Sequence, residues 1–147
     1  MFGHLSEVRD VAYSNTGDQI ISAGNDNTVR LWRSSETEPN KLKTLSNQRS
    51  KFDRQGNLLK TLRGHGSQVH SCNFVGKRCN FAISSSFGVE NQLKIWDLLS
   101  YAEQRVLDHK GPIGTASISP SGRYVATAGL KKQSSSNEIE LFDLKCF

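Results

Sequence analysis

The sequence has few cysteines and no long hydrophobic run, and both shortages exclude whole classes of protein. Its three cysteines, Cys72, Cys79 and Cys146, are an odd number at unrelated spacings, so they predict neither a disulfide framework nor a zinc knuckle. No apolar run approaches the about twenty residues that a membrane-spanning helix requires. The first residues also lack the basic and apolar regions of a secretory signal. We therefore expect reduced thiols, a cytoplasmic (intracellular) location and no membrane partner.

Outside one segment, the sequence has no excess of positive charge. The formal net charge is +5, yet seven basic residues fall between Lys41 and Arg63, where Asp53 is the one acid. Such a segment indicates either a solvated linker or a strip that binds phosphate or acidic ligands. The residues that would carry the strip are basic: Lys51, Arg54, Lys60 and Arg63. Phe52 is the segment's one aromatic residue, so the stacking platforms typical of single-strand nucleic-acid binders are missing.

An internal repeat is the most informative feature of the sequence. Three histidines, His4, His65 and His109, are each followed four residues later by a branched apolar residue. A hydroxyl side chain comes 18 or 19 residues after each of them, and the three are Ser22, Ser84 and Thr127. Each unit then ends in a stretch that alternates apolar and polar residues, at 29–32, 93–96 and 139–142. Turn residues separate these stretches, so each unit reads as three strands.

A fourth strand completes the pattern. The tetrapeptide Leu-Lys-Thr-Leu occurs at 42–45 and again at 59–62, and 104–107 has a similar pattern. No window favours a long amphipathic helix. Four-stranded units that repeat at about 40–45 residues are typical of propeller blades, so the predicted fold is all-β.

This pattern resembles the WD-repeat β-propeller family. The resemblance is strongest where Gly64-His65 pairs with Trp96-Asp97, and where Gly3-His4 pairs with Asp26 through Trp32. It implies a partial β-propeller of four-stranded antiparallel blades that is not closed within this chain. The predicted units are blade 1 at 1–45, a basic linker or half-blade at 46–63, blade 2 at 64–107, and blade 3, without its outer strand, at 108–147.

The resemblance also implies that the three repeated histidines are structural. In the family, a buried network joins the histidine to a strand hydroxyl, a turn carboxylate and the tryptophan. The first two sets are His4, Ser22, Asp26 and Trp32, then His65, Ser84, Glu90 and Trp96. In the third repeat His109 and Thr127 remain, but Phe142 stands at the tryptophan position and Ser136 at the acid position. We expect the network to be complete in blade 1 and absent in blade 3.

Catalytic motifs are missing from the sequence. It has no nucleophile elbow and no phosphate-binding loop of the Gly-x-x-x-x-Gly-Lys-Ser/Thr type. The repeated histidines fall in different blades, so they do not predict a metal or catalytic centre. We therefore expect a non-enzymatic chain without cofactor or metal.

The predicted function is a protein-interaction scaffold segment within a larger propeller or multidomain protein. The resemblance implies docking on the face that carries the Gly-His loops and the turns between second and third strands. The candidate partner-binding residues on that face are Glu7, Arg9, Gln68, His70, Phe87, Lys110, Pro112, Lys131 and Lys132. The alternative function is binding of nucleic acid or a phosphorylated ligand through the 41–63 strip, which would be steeply salt-dependent.

Two irregularities leave alternatives open. Segment 46–63 is either the rear half of another blade or a long basic loop at 34–57 followed by an outer strand at 58–62. The chain also holds too few blades for a ring, since propellers typically have four to eight. Open blade edges predict self-association through these edges or marginal stability.

Overall fold

The described chain folds into antiparallel β-sheets alone. The computed structural model describes residues 3–34, 57–76, 78–130 and 137–144, and these contain eleven strands and no helix. The first sheet holds β1 (Val8–Tyr13), β2 (Gln19–Gly24), β3 (Thr28–Arg33) and β4 (Asn57–Arg63). The second holds β5 (Gln68–Val75), β6 (Phe81–Phe87), β7 (Gln92–Asp97) and β8 (Ala102–Asp108). The third holds β9 (Ile113–Ile118), β10 (Tyr124–Leu130) and β11 (Asn137–Asp143).

We call these sheets blades 1, 2 and 3. Within each blade, neighbouring strands are consecutive in the sequence and antiparallel. Short turns make this order favourable, and the turns between second and third strands of blades 1 and 2 contain Asn27 and Asn91 at positive φ. Asparagine tolerates the left-handed region better than most residues with a side chain, so it suits such turns. The expected all-β fold of antiparallel blades, open within this chain, is confirmed.

The apolar core lies between the blades. One buried cluster joins Ile21, Val29 and Leu31 of blade 1 to residues such as Phe74 and Trp96 of blade 2. A second cluster joins Ile83, Leu93 and Ile95 of blade 2 to Ile113 and Val125 of blade 3. The first strands β1, β5 and β9 contact one another in that order. Each blade is therefore stabilised mainly by burial of apolar surface against its neighbours.

The fourth strand of blade 1 comes from an unexpected place. β4 pairs with β3, with Arg63 opposite Thr28 and Lys60 opposite Leu31. In the structure residues 57–63 thus belong to blade 1, whereas the predicted division ended that blade at residue 45. Two interpretations of 46–63 were left open by the sequence. The β3–β4 pairing is the one expected if a long basic loop precedes the outer strand of blade 1. Residues 35–56, which include the first Leu-Lys-Thr-Leu copy, lie outside the described residues, so the division itself stays a prediction.

Candidate functional site

In blade 1, one hydrogen-bonded network links the loop before β1 to strands β2 and β3. His4 Nδ1 lies 2.9 Å from Asp26 Oδ1, and His4 Nε2 lies 2.8 Å from Ser22 Oγ. The indole Nε1 of Trp32 donates to the same Ser22 oxygen at 2.9 Å. Gly3 allows this approach, because a Cβ at that position would lie 2.5 Å from the Trp32 ring. The structure therefore brings all four residues of the predicted first set together.

Asp26 holds this network at the turn between β2 and β3. Its carboxylate accepts hydrogen bonds from the Leu5 amide at 2.9 Å and from Thr28 Oγ1 at 2.7 Å. Burial alone would raise the pKa of Asp26, but the bonds from Thr28, Leu5 and His4 together hold it well below its usual range. Asp26 is thus a buried, charged acceptor that fixes the Gly-His loop to the turn.

Blade 2 repeats the network with a longer acid. His65 Nε2 lies 2.7 Å from Ser84 Oγ, and Trp96 Nε1 donates to that oxygen at 2.8 Å. Glu90 Oε2 lies 3.2 Å from His65 Nδ1 and accepts the Gly66 amide at 2.8 Å. The extra methylene of glutamate is therefore accommodated at the cost of a longer contact to the imidazole.

Burial of the imidazole favours the neutral form of His65. A carboxylate can only accept, so Nδ1 carries the hydrogen that faces Glu90. The neutral Nε2 then accepts from the Ser84 hydroxyl, whose oxygen accepts from the indole N–H of Trp96. Burial of the ring lowers the pKa of His65 to about 4, against a smaller raising effect of Glu90. An imidazole in this state serves as a brace and not as an acid or base near neutral pH.

Blade 3 does not assemble the network. His109 Nδ1 lies 2.7 Å from the Gly111 carbonyl, and the buried Nε2 finds no hydrogen-bond partner among the described residues. Thr127 donates to the main-chain carbonyl of Glu140 at 3.4 Å, away from His109. Phe142 has no N–H to donate, and Ser136 lies outside the described residues. Glu140 Oε1 lies 3.9 Å from His109 Nε2.

Charged residues of the third strands were missed from the sequence. Lys94 donates to Glu103 Oε2 at 2.7 Å and lies 3.5 Å from Glu90 Oε1, although its side chain is buried. Arg30 is likewise buried and lies 3.4 Å from Asp26. The sequence does mark this position: Arg30, Lys94 and Glu140 each stand two residues before the aromatic residue of their third strand. An alternating strand pattern, however, predicts that charged residues at these positions face solvent.

Several predicted partner-binding residues gather where blades 1 and 2 meet. Glu7 and Arg9 form an exposed ion pair at 2.9 Å, and Arg9 Nε also donates to Asn25 Oδ1 at 2.8 Å. His70 stacks on Phe87 with 4.6 Å between ring centroids and an interplanar angle of 8°. Partial burial and then the positive charge of Arg9 lower the pKa of His70. We call Glu7, Arg9, Asn25, His70 and Phe87 the rim cluster.

The remaining candidates are dispersed. Gln68 is exposed at the start of β5, opposite Phe87. Lys110 lies 3.7 Å from Glu140 and 3.9 Å from Glu138, and the Pro112 carbonyl accepts the Leu130 amide. Lys131 and Lys132 lie outside the described residues.

The basic strip is described only in its second half. Lys60 and Arg63 are exposed on β4, and Lys60 Nζ lies 5.4 Å from the centroid of the Tyr101 ring. Lys51 and Arg54 lie outside the described residues. Across the described ranges, the structure holds no group of three or more histidine, cysteine, aspartate or glutamate side chains that could bind a metal ion. Within the same ranges, no helix has the length and apolar character to cross a membrane.

Repeated antiparallel blades, two of which carry a His–Ser–Trp network closed by a turn carboxylate, define a partial propeller of the WD type. A family model described as "WD domain, G-beta repeat" matches residues 1–33 and 56–97, just over half of the chain. The chain therefore belongs to the WD-repeat family. Both matched ranges lie in blades 1 and 2, and the second begins next to β4.

Curated relatives span most of the chain. A subunit of chromatin assembly factor 1 from Mus musculus is 26% identical over 127 residues, which cover 84% of this chain and 22% of that protein. WD repeat-containing protein slp1 of Schizosaccharomyces pombe is 31% identical, with 86% of this chain and 31% of that protein covered. Ribosome biogenesis protein YTM1 of Saccharomyces cerevisiae is 33% identical, with 72% and 23% covered. The chain thus spans between a fifth and a third of these relatives' lengths.

Proposed function

We propose that this chain is a non-catalytic scaffold segment that binds other proteins through the rim cluster. The observation that supports the non-catalytic role is that His4 and His65 are both buried inside their blades, where both ring nitrogens of each are hydrogen-bonded. These histidines therefore brace loops instead of reacting. Relatives named for chromatin assembly and ribosome biogenesis support a role within a larger intracellular assembly.

The rim cluster has the chemistry of a protein-binding surface. Arginine and aromatic side chains carry much of the energy in protein interfaces, where a buried centre is surrounded by polar residues. His70 and Phe87 form a stacked pair of half-buried rings. Arg9 and Glu7 lie exposed beside it. A partner that supplies an acid for Arg9 and an apolar group for the His70–Phe87 pair would fit this surface.

Affinity purification with quantitative mass spectrometry tests the proposal. The full chain serves as bait in three forms: unchanged, Arg9→Glu with His70→Ala, and Arg105→Glu. Arg105 is exposed on the outer strand β8, so Arg105→Glu is a matched charge reversal away from the rim. We expect a set of proteins that is lost from the rim variant and kept by the control. Equal recovery with all three baits would refute binding through the rim.

The same approach tests the alternative that the basic strip binds nucleic acid. Within that strip the structure describes Lys60 and Arg63, which are exposed on one strand. A Lys60→Glu, Arg63→Glu variant should keep the rim-dependent proteins. If that variant instead loses a nucleic acid whose binding falls steeply with salt, the strip is the functional surface.

We also propose a revised division of the chain. Blade 1 would extend from residue 3 to Arg63 with a long insertion between β3 and β4, followed by blade 2 at 64–108 and blade 3 from His109 onward. The β3–β4 register and the family match from residue 56 support this division. Fast amide exchange at 46–56 together with protection at 57–63 is the expected result.

A further inference from the structure

Blade 3 exposes an apolar face that its sister blades bury. Ile139 and Leu141 of β11 are 79% and 69% exposed. They pair with Ala128 and Ala126 across the β10–β11 ladder. The residues at the same register positions are almost fully buried in the other two blades, and they are Val29, Leu31, Leu93 and Ile95. We call Thr115, Ala126, Ala128, Ile139 and Leu141 the rear face.

Blade 1 exposes the opposite face. Val11 of β1 is 59% exposed, whereas Cys72 and Ala116, which stand at the same register position in β5 and β9, are at most 3% exposed. Val8 and Tyr13 are also more than half exposed. We call Val8, Val11 and Tyr13 the front face. Blades 1 and 3 thus expose the two complementary halves of an interface that recurs twice between the described blades.

One polar contact recurs across both internal interfaces. Asp10 accepts the main-chain amide of Cys72 at 2.9 Å, from blade 1 to blade 2. Ser71 at the matching position contacts the amide and carbonyl of Ala116, each at 3.2 Å, from blade 2 to blade 3. Thr115 holds the same position in blade 3, is exposed, and has a hydroxyl that can make the same bonds.

The main-chain group that Thr115 would contact exists on the front face. It is the amide of Val11, which stands where Cys72 and Ala116 stand in the following blades. In this chain the Val11 amide donates instead to the neighbouring Asp10 Oδ1 at 2.8 Å. The rear and front faces therefore match in both apolar and hydrogen-bonding positions.

We propose that a second copy of this chain covers these faces. The rear face of each copy packs on the front face of the other, with Thr115 bonded to the Val11 main chain across each junction. Head-to-tail contacts form rings when the rotation closes, and two copies supply six blades, which lies within the usual four to eight. Burial of an exposed apolar patch on each copy drives the association. The rim cluster is a different surface, so this proposal and the scaffold proposal can fail separately.

Sedimentation velocity of the full chain over a range of concentrations tests the pairing. We expect a dimer that dissociates on dilution. Val11→Asp and Ile139→Asp should each weaken the dimer by at least about tenfold, because each variant forces a carboxylate into an apolar interface. Leu99→Asp, at a 75% exposed leucine after β7, is the matched control and should leave dimerisation unchanged.

A mixture of the two variants distinguishes head-to-tail pairing from other arrangements. Val11→Asp keeps an intact rear face and Ile139→Asp keeps an intact front face, so the mixture should form a heterodimer that neither variant forms alone. This recovery also shows that both variants are folded. A monomer at all concentrations, a dimer lost in only one variant, or an assembly that grows without limit would each overturn the proposed ring.

Discussion

At the scale of single residues, one serine hydroxyl organises each complete network. Ser84 Oγ is bonded to both His65 and Trp96, and Ser22 Oγ has the same two roles between His4 and Trp32. A neutral hydroxyl can donate once and accept twice, so it joins an imidazole acceptor to an indole donor without any charge. Loss of this atom therefore affects two partners at once.

Adjacent serines in β6 give opposite predictions. Ser84→Ala leaves buried groups of His65 and Trp96 unpaired, and we expect a loss of about 2–3 kcal/mol in the free energy of unfolding. Ser85 is equally buried, but its hydroxyl has no hydrogen-bond partner among the described residues. Ser85→Ala should therefore change stability by less than about 0.5 kcal/mol or increase it slightly. Urea unfolding of both variants checks this, and equal losses would contradict the network.

Acid should destabilise the chain through His65. The folded-state pKa is about 4 and the unfolded value is 6.5, so the unfolded chain binds more protons between these values. The free energy of unfolding is then highest above pH 6.5 and falls as the pH drops, by about 2 kcal/mol near pH 5. The pKa values of Asp26 and Glu90 are lowered, so these carboxylates lose their contribution only at lower pH.

Urea unfolding between about pH 7.5 and 5 measures this slope. His65→Gln should flatten it, even though that variant begins from a lower stability. His70, whose pKa is also lowered, contributes with the same sign, so His70→Gln serves as the second control. A slope that is unchanged in His65→Gln would show that another group titrates.

At the scale of elements, β4 is the strand whose role the sequence left open. Leu62 is buried in the cluster between blades 1 and 2, whereas Leu58 of the same strand is 43% exposed. Leu62→Ala should cost about 2–4 kcal/mol, because it leaves a cavity in that cluster. Leu58→Ala should cost less than about 1 kcal/mol. Thermal unfolding compares them, and similar losses would mean that β4 does not pack as the outer strand of blade 1.

Elements that carry their own periodicity were predictable from the sequence. The alternating stretches at 29–32, 93–96 and 139–142 lie inside β3, β7 and β11. The choice of outer strand was not predictable, because the two Leu-Lys-Thr-Leu copies have the same local pattern and only tertiary pairing distinguishes them. The burial of Lys94 was missed for a similar reason: its partners Glu90 and Glu103 come from a turn and another strand. Pattern predicts the type of an element but not its partner.

At the scale of the whole molecule, stability should decrease from blade 2 to blade 3. Blade 2 is covered on both sides and has a complete network, whereas blade 3 has an exposed rear face and, among the described residues, no hydrogen-bond partner for His109 Nε2. Proteins open in cooperative units whose free energies follow local burial and bonding. Blade 3 is therefore the unit that opens first, while blades 1 and 2 remain packed through their shared cluster.

Hydrogen exchange measured at low protein concentration tests this order. The Gly111 carbonyl replaces the acid at His109 Nδ1, but the histidine–hydroxyl and indole–hydroxyl bonds are missing from blade 3. At about 1 kcal/mol for each of these two bonds, amides of 113–130 should exchange about ten- to thirtyfold faster than those of 81–97. The difference should shrink as concentration rises, because a second copy would cover the rear face and protect blade 3. Ile139→Asp removes that protection and should exchange fast at every concentration. Equal exchange in both blades of this monomeric variant would mean that the His–Ser–Trp network contributes little and that the three blades unfold as one unit.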